Sequence, residues 1–117
     1  ILNPVGAEGQ VEGGVVMGIG MAMLEGSIVG EDGRQRNPHL LDYKLQTAAD
    51  APPISIAFVD APSPYGGPKG SKGTGEPPCV PTPGAVGNAI AQVTGARVHR
   101  LPMTPERVWA ASHGVDA

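Results

Sequence analysis

A short stretch rich in glycine and lysine holds the residues with the clearest chemical potential. Residues 69–78 read KGSKGTGEPP. Glycines at positions 70, 73 and 75 let backbone N–H groups turn toward a bound anion or cofactor. Glu76 follows the last glycine and precedes two prolines, which bias it to an extended backbone and stiffen the segment after it. The pattern predicts a carboxylate held at the tip of a positioned loop, as a general base requires.

The same loop also has a simpler interpretation. A Glu in a Gly/Pro loop is most often solvent-exposed and inert, and Lys72 is equally consistent with a solubilising surface charge. The stretch is not a P-loop, because G-x-x-x-x-G-K-[ST] is absent and no predicted strand directly precedes it. Taken alone, the loop therefore indicates a binding site of unknown function.

Other candidate residues carry weaker signals. Gln10 and Glu12 open a glycine-rich helical segment whose N-terminal amides favour an anionic ligand, although simple capping explains them equally well. The single cysteine, Cys79, excludes an internal disulfide, and with prolines around it and no nearby histidine an inert thiol is favoured. The three histidines lack metal-ligand spacing, so no metal site is predicted from the chain's own side chains.

Composition limits the classes of partner. The net charge is −3 and the eight Lys and Arg residues are scattered, which excludes a basic surface for nucleic acid. Aromatic residues make up 3%, too few for base stacking. The most apolar segment, residues 8–25, is too short and too interrupted to span a bilayer. One cysteine and no leader pattern predict a cytoplasmic protein, with the periplasm as the alternative, and a start without Met indicates a piece of a longer or processed chain.

The elements that must position the loop follow from hydrophobic patterning. Residues 8–25 are apolar around most of a helical circumference, so they predict a buried helix. Gly14 and Gly18 share one face of it, on which another backbone or a ligand can approach closely. Residues 61–83 hold so many prolines and glycines that no regular element is expected. A loop of that length inside a compact domain is rare unless it is functional or disordered.

The remaining segments predict a small sheet beside the helices. Residues 54–59 alternate on one face and form the clearest strand, and the turn signal at residues 31–33 indicates a hairpin. The other predicted elements are a helix over residues 85–93, a strand over residues 97–101 and a helix capped by Thr104. This order predicts an α/β (α+β) fold, in which a small mixed sheet packs with two to three helices around a long Gly/Pro-rich active-site loop.

Two segments together resemble the large subunit of the molybdenum hydroxylases, the xanthine dehydrogenase and aldehyde oxidoreductase family. The GQVEGG of residues 9–14 resembles that family's glycine-rich helix, and residues 69–78 resemble its active-site loop near the C-terminus of the subunit. Residues 101–109, LPMTPERVW, are also similar, so the resemblance covers nearly the whole chain in order. It implies that residues 1–117 are the C-terminal portion of a molybdopterin-binding domain, a fragment of a larger subunit that is inactive alone.

The resemblance also implies a reaction and a set of site residues. The full subunit would oxidise an aldehyde or N-heterocycle by hydroxylation with water-derived oxygen, at molybdenum in a molybdopterin cofactor of the cytosine dinucleotide form. Glu76 would act as the general base on the molybdenum-bound hydroxide, and no side chain of this chain would ligate the metal. The residues that would bind the cofactor are Gln10, Ser71, Lys72, Gly73, Thr74 and Gly75.

The resemblance implies three kinds of partner: the remainder of the molybdenum-binding subunit, iron–sulfur and FAD domains or subunits that carry a 2Fe–2S cluster and FAD, and a small-molecule substrate. Neither nucleic acid nor a membrane is expected as a partner. One alternative is a non-catalytic binding or assembly module that retains the fold, against which the intact Gly-Glu-Pro-Pro argues. A hydrolase that uses Glu76 without a metal ranks lower, because no second acid or nucleophile lies nearby.

Overall fold

The computed structural model describes residues 1–115, which form three α-helices and one short 3-10 helix. Helix α1 spans Pro4–Met23, α2 spans Thr82–Thr94 and α3 spans Pro105–Ser112. The 3-10 helix, Pro68–Gly70, lies within the long connection from α1 to α2. Helices α1 and α2 pack against each other, and this contact holds the two ends of the connection together.

Helix α1 begins where the sequence supplies both a cap and a proline. The Oδ1 of Asn3 accepts a hydrogen bond from the Gly6 N–H at 3.0 Å, which satisfies one of the free amides of the first turn. Pro4 occupies the first helical position, where its missing N–H has no intrahelical partner to lose. The helix predicted over residues 8–25 is therefore correct in kind, but it begins four residues earlier because these local signals extend it.

Close contact with residues 78–82 explains two of the six glycines of α1, Gly14 and Gly18. A Cβ on Gly18 would lie 2.5 Å from the Cβ of Thr82 and 3.0 Å from the Cys79 carbonyl oxygen. A Cβ on Gly14 would lie 2.9 Å from the Cβ of Pro78. The sequence left open whether a backbone or a ligand approaches this face. The structure shows that the chain's own residues 78–82 fill it, at distances only glycine permits.

The predicted mixed sheet is wrong, and so is the α/β (α+β) fold class. Residues 1–115 contain no strand, and their β pairing is limited to one isolated antiparallel bridge between Val29 and Gln35, at the site of the expected hairpin. Alternating burial is limited to residues 54–56, where Ile54 and Ile56 are half-buried and Ser55 is exposed, while Phe58 is exposed. Alternation reports a half-buried face, however, whereas a strand also needs a neighbour for its backbone groups. Neither residues 54–59 nor residues 97–101 have such a neighbour in the described chain.

Little of the chain is enclosed. The buried apolar side chains are small apart from Met103, and Val59, Tyr65 and Val93 are at least 87% exposed. The radius of gyration is 17.7 Å, whereas a compact domain of this length has a value of about 13 Å. So extended a shape with so small a core indicates that these apolar surfaces pack against further protein. No helix of the described residues is long and apolar enough to cross a membrane.

One buried side chain fixes the turn that carries the isolated bridge. Asn37 is 6% exposed, and its Oδ1 accepts from the Ile28 N–H at 2.9 Å while its Nδ2 donates to the Gly26 carbonyl at 2.6 Å. Both backbone groups belong to the segment that leaves α1. Asn37 therefore joins the two arms of the turn through its side chain, where a longer hairpin would use ladder hydrogen bonds.

We expect Asn37→Ala to lower the free energy of unfolding of the intact protein by about 1–3 kcal/mol, because it leaves a part-buried N–H and a carbonyl without partners. Urea unfolding monitored by circular dichroism measures the change. The exposed tip residue Glu31 provides the control, since Glu31→Ala should change stability by less than about 0.5 kcal/mol. Equal stability of the two variants would contradict the bridging role of Asn37.

Candidate functional site

A pocket of about 530 Å³ lies between the start of α1 and the long loop. The first turns of α1, residues 59–62 and residues 69–75 form its walls. All six residues predicted to bind a cofactor line it. One comes from α1 and the other five come from the loop before α2: Gln10, and Ser71, Lys72, Gly73, Thr74 and Gly75. The structure brings this set together in one place, and the identity of its ligand stays a prediction.

The loop takes its shape from the 3-10 helix. Gly70 has a φ of +71°, and a Cβ there would lie 2.8 Å from the Cβ of Pro62, so the position requires glycine. The Gly70 N–H donates to the Gly67 carbonyl at 2.9 Å, and the Gly70 carbonyl accepts from the Ser63 N–H at 3.1 Å. The first bond closes the turn of the 3-10 helix, and the second joins the loop to the residue that follows Pro62 in the chain.

The two lysines of the loop have different roles in the pocket wall. The Nζ of Lys72 donates to the Ala61 carbonyl at 2.8 Å, which fastens the loop to residues 59–62. Lys69 adopts the left-handed conformation, with φ 61° and ψ 22°, at a cost of about 1–2 kcal/mol for a residue with a side chain. Its ammonium makes no hydrogen bond or ion pair with any residue in 1–115. Asp60 also lines the pocket, and it lies within ion-pair distance of neither lysine.

Several polar groups in the pocket wall have no partner in the described chain. The Oγ1 of Thr74 is buried and makes no hydrogen bond. The backbone N–H groups of residues 72–75 donate to no residue in 1–115. Buried polar groups are normally hydrogen-bonded, so the Thr74 Oγ1 is suited to a bound ligand, and the N–H groups beside it are free to donate to the same ligand. The space beside Gly73 and Gly75 is open at their Cβ positions, so a ligand can approach their backbone closely.

Glu76 lies immediately beyond the residues that line the pocket. It is exposed, and its carboxylate forms no hydrogen bond or ion pair with residues 1–115. Its backbone carbonyl accepts from the Cys79 N–H at 2.9 Å, which starts the turn that leads into α2. Cys79 in turn contacts α1 at Gly18. The position of Glu76 therefore depends on the packing of α1 against residues 78–82, and its role as a base stays a prediction.

The weaker candidates lie elsewhere. Glu12 lines a second pocket of about 590 Å³ with Gln46, whose Oε1 is buried without a partner. The Sγ of Cys79 lies 3.7 Å from the Sδ of Met21, a contact that leaves the thiol beside another sulfur and not beside a base. Among the described residues, no three His, Cys, Asp or Glu side chains lie close enough to hold a metal ion.

Sequence reasoning missed part of the pocket. Asn3, Gly6, Asp60 and Lys69 line it without having been predicted as site residues. Asn3 could have been found, since Asn followed by Pro is a helix-start signal and the start of α1 faces the pocket. No local pattern signals the contribution of Lys69, because a positive φ at a residue other than glycine, Asn or Asp has no sequence marker.

Comparison with known proteins matches this arrangement to one family. The family described as molybdopterin cofactor-binding domain matches residues 1–52. The xanthine dehydrogenase molybdenum-binding subunit of Escherichia coli O157:H7 is 46% identical over 114 residues, which are 97% of this chain and 15% of that subunit. The nicotine 6-hydroxylase large subunit of Paenarthrobacter nicotinovorans is 37% identical over 118 residues, covering 98% of this chain and 14% of that subunit.

A solved structure agrees with these sequence matches. Quinoline 2-oxidoreductase from Pseudomonas putida 86 superposes with a TM-score of 0.90 at 33% identity, covering 99% of this chain and 15% of that one. The chain spans about one seventh of the length of the relatives it matches. Its small core and exposed apolar surfaces agree with such a share of a larger protein. Over nearly its whole length, the chain is similar to one segment of the molybdenum-binding subunits of the xanthine dehydrogenase and aldehyde oxidoreductase family.

Proposed function

We propose that this chain is the C-terminal portion of the molybdopterin-binding domain in a molybdenum hydroxylase, and that the whole enzyme oxidises an aldehyde or an N-heterocycle. The observation that carries the proposal is the pocket in which α1 and the loop gather the six residues predicted to bind the cofactor. Relatives named for aldehyde, nicotine and quinoline oxidation support the substrate class.

The groups that lack partners in the pocket fit a pterin cofactor that carries phosphate. The N–H groups of residues 72–75 offer donors to an anion, and the positive end of the α1 dipole faces the same pocket. The Thr74 hydroxyl offers a further donor or acceptor to the polar edge of the pterin. Gln10 lines the same pocket from α1 and supplies an amide with both functions. We assign the cytosine dinucleotide form to this site, since its extra length suits an open pocket.

The chemistry of the bound cofactor is to accept the two electrons removed from the substrate's C–H bond, and the chain supplies position and a proton acceptor. A carboxylate oxygen of Glu76 takes a proton from the attacking water. The oxygen of the water thereby becomes a better nucleophile. Glu76 lies just past the residues that line the pocket, and this location supports the proposed role. Lys72 and the Gly70 hydrogen bonds hold the loop that carries Glu76 in place.

The partners of the chain follow from its open shape. The remainder of the molybdenum-binding subunit covers the exposed apolar side chains, among them Val59, Tyr65 and Val93. Iron–sulfur and FAD domains or subunits are the further partners in this proposal, since a cofactor that takes up two electrons must pass them on.

Metal and pterin analysis of the purified intact protein tests the proposal. We expect one molybdenum per subunit by plasma mass spectrometry, one pterin by fluorescence after oxidation, and one CMP released by mild acid. A protein that contains neither molybdenum nor pterin after expression in a host that makes the cofactor would contradict the proposed function. Pterin without CMP would contradict the dinucleotide form alone.

A further inference from the structure

Lys69 is the lysine of this pocket that the described chain leaves without a partner. It lines the pocket, and its ammonium has no hydrogen bond or ion pair among residues 1–115. The other pocket lysine, Lys72, already donates to the Ala61 carbonyl. Of the two cations in the wall, Lys69 is therefore the one whose charge is available to a ligand.

The charges around Lys69 favour an anion at this end of the pocket. The N-terminal end of α1, a helix of 20 residues, contributes the positive end of the helix dipole, while Asn3 already accepts the hydrogen bonds of the Gly6 and Ala7 N–H groups. Asp60 contributes the opposing charge in the wall, at a position outside ion-pair distance of Lys69. With two lysines and a helix N-terminus against one aspartate, the lining is electropositive on balance.

The backbone of Lys69 supports a role for its side chain. A φ of 61° favours glycine or asparagine, and five glycines stand within six residues on either side. A lysine held in this conformation places strain in the wall of a pocket, which is where strained residues concentrate when their side chains serve a ligand. The buried, unpartnered Oγ1 of Thr74 in the same wall independently indicates a polar ligand.

We propose that Lys69 binds the phosphate of the pterin cofactor, either the monoester of molybdopterin or the pyrophosphate of its dinucleotide form. This inference rests on the proposed function and adds a residue to it. Lysine suits the task, because its ammonium acts as a compact positive charge with three donors and needs no fixed angle of approach. The contact is charge-assisted, so its loss weakens cofactor retention rather than the chemistry at the substrate.

The test measures how fast the intact protein loses pterin, since retention does not depend on turnover. Wild-type protein and the variants Lys69→Asn, Lys69→Gly and Lys69→Arg are held in dilute buffer and sampled by gel filtration, with pterin and CMP measured in each fraction. Asn and Gly both suit a positive φ, so they remove the charge without adding strain. We expect Lys69→Asn and Lys69→Gly to lose pterin about tenfold faster than wild-type protein does, and Lys69→Arg to lose it at nearly the wild-type rate.

The control is Lys44→Asn, which makes the same change in charge at a lysine that lines neither pocket. Loss of pterin from Lys69→Asn and Lys69→Gly at the rate of Lys44→Asn would overturn the inference while leaving the proposed function intact. Added salt should speed the loss from wild type and change Lys69→Asn less, because it screens the contact that the variant lacks. Wild-type protein without pterin would overturn the inference together with the proposed function. If CMP is released with the pterin, the contact of Lys69 is with the pyrophosphate of the dinucleotide form. If pterin is released without CMP, the contact is with the phosphate monoester of molybdopterin.

Discussion

Glu76→Gln in the intact protein is expected to lower turnover about 10²–10⁴-fold while molybdenum and pterin contents stay at wild-type levels. Glutamine keeps the size of the side chain but cannot take up the proton that a general base removes. Cofactor content should not change, because Glu76 lies outside the residues that line the pocket and its carboxylate bonds to no described residue. Retained cofactor with lost turnover is the signature of a missing proton acceptor.

Steady-state kinetics with an aldehyde and an N-heterocycle, alongside metal and pterin analysis, measure both quantities. Glu8→Gln is the matched control, since Glu8 is exposed on α1 and lines neither pocket. It should have wild-type turnover. Near-wild-type turnover in Glu76→Gln would exclude Glu76 as the base. Loss of cofactor in parallel with turnover would instead assign Glu76 to the shape of the loop.

The helices could be predicted because their signals are local. Thr104 caps α3 by accepting from the Arg107 N–H at 3.4 Å, and Pro105 follows at the first helical position, as the sequence indicated. Gly95 ends α2 with a φ of 72°, a conformation that glycine adopts readily. Each of these helix ends is determined by residues within one turn of one another, so the sequence alone is enough to predict where the helix begins or ends.

The sheet could not be predicted from the same kind of pattern, because strand pairing is not local. The alternation of residues 54–59 indicates the half-buried Ile54 and Ile56 but not the exposed Phe58, and it contains no information on which backbone lies alongside. In the described chain, no backbone pairs with residues 54–59. Trp109 has a large aromatic side chain of the kind that is often buried, yet it is 58% exposed and stacks on the ring of His113.

The candidate site was predictable in part. The glycine spacing of residues 70–75 indicated a loop that admits a ligand near its backbone, and the structure places these residues in a pocket wall. The grouping of Gln10 with that loop came from family resemblance, since no property of Gln10 itself specifies contact with residues so distant in sequence. Lys69 and Lys72 look equivalent in the sequence of a glycine loop. Only the structure distinguishes Lys72, which donates to the Ala61 carbonyl, from Lys69, which bonds to no described residue.

Gly18→Val is expected to destabilise the intact protein by about 3 kcal/mol, because α1 and residues 79–82 approach too closely at this point to admit a side chain. A Cβ would lie 2.5 Å from the Cβ of Thr82 and 3.0 Å from the Cys79 carbonyl, and the helix backbone of Thr82 cannot move without shifting α2. The displaced segment begins at Glu76, whose carbonyl is bonded to Cys79. Turnover should therefore fall as well, even at temperatures where the variant stays folded.

Urea unfolding and turnover of folded protein separate these two effects, and Gly9→Val provides the matched control. Gly9 lies on the same helix, but no described atom comes within 4 Å of the position its Cβ would take. The control should be as stable as wild type or slightly more so, since valine has a higher helix propensity than glycine. If both variants behaved alike, the loss would come from glycine replacement in α1 in general. A loss confined to Gly18→Val would mean that the contact between α1 and residues 79–82 positions the loop that ends at Glu76.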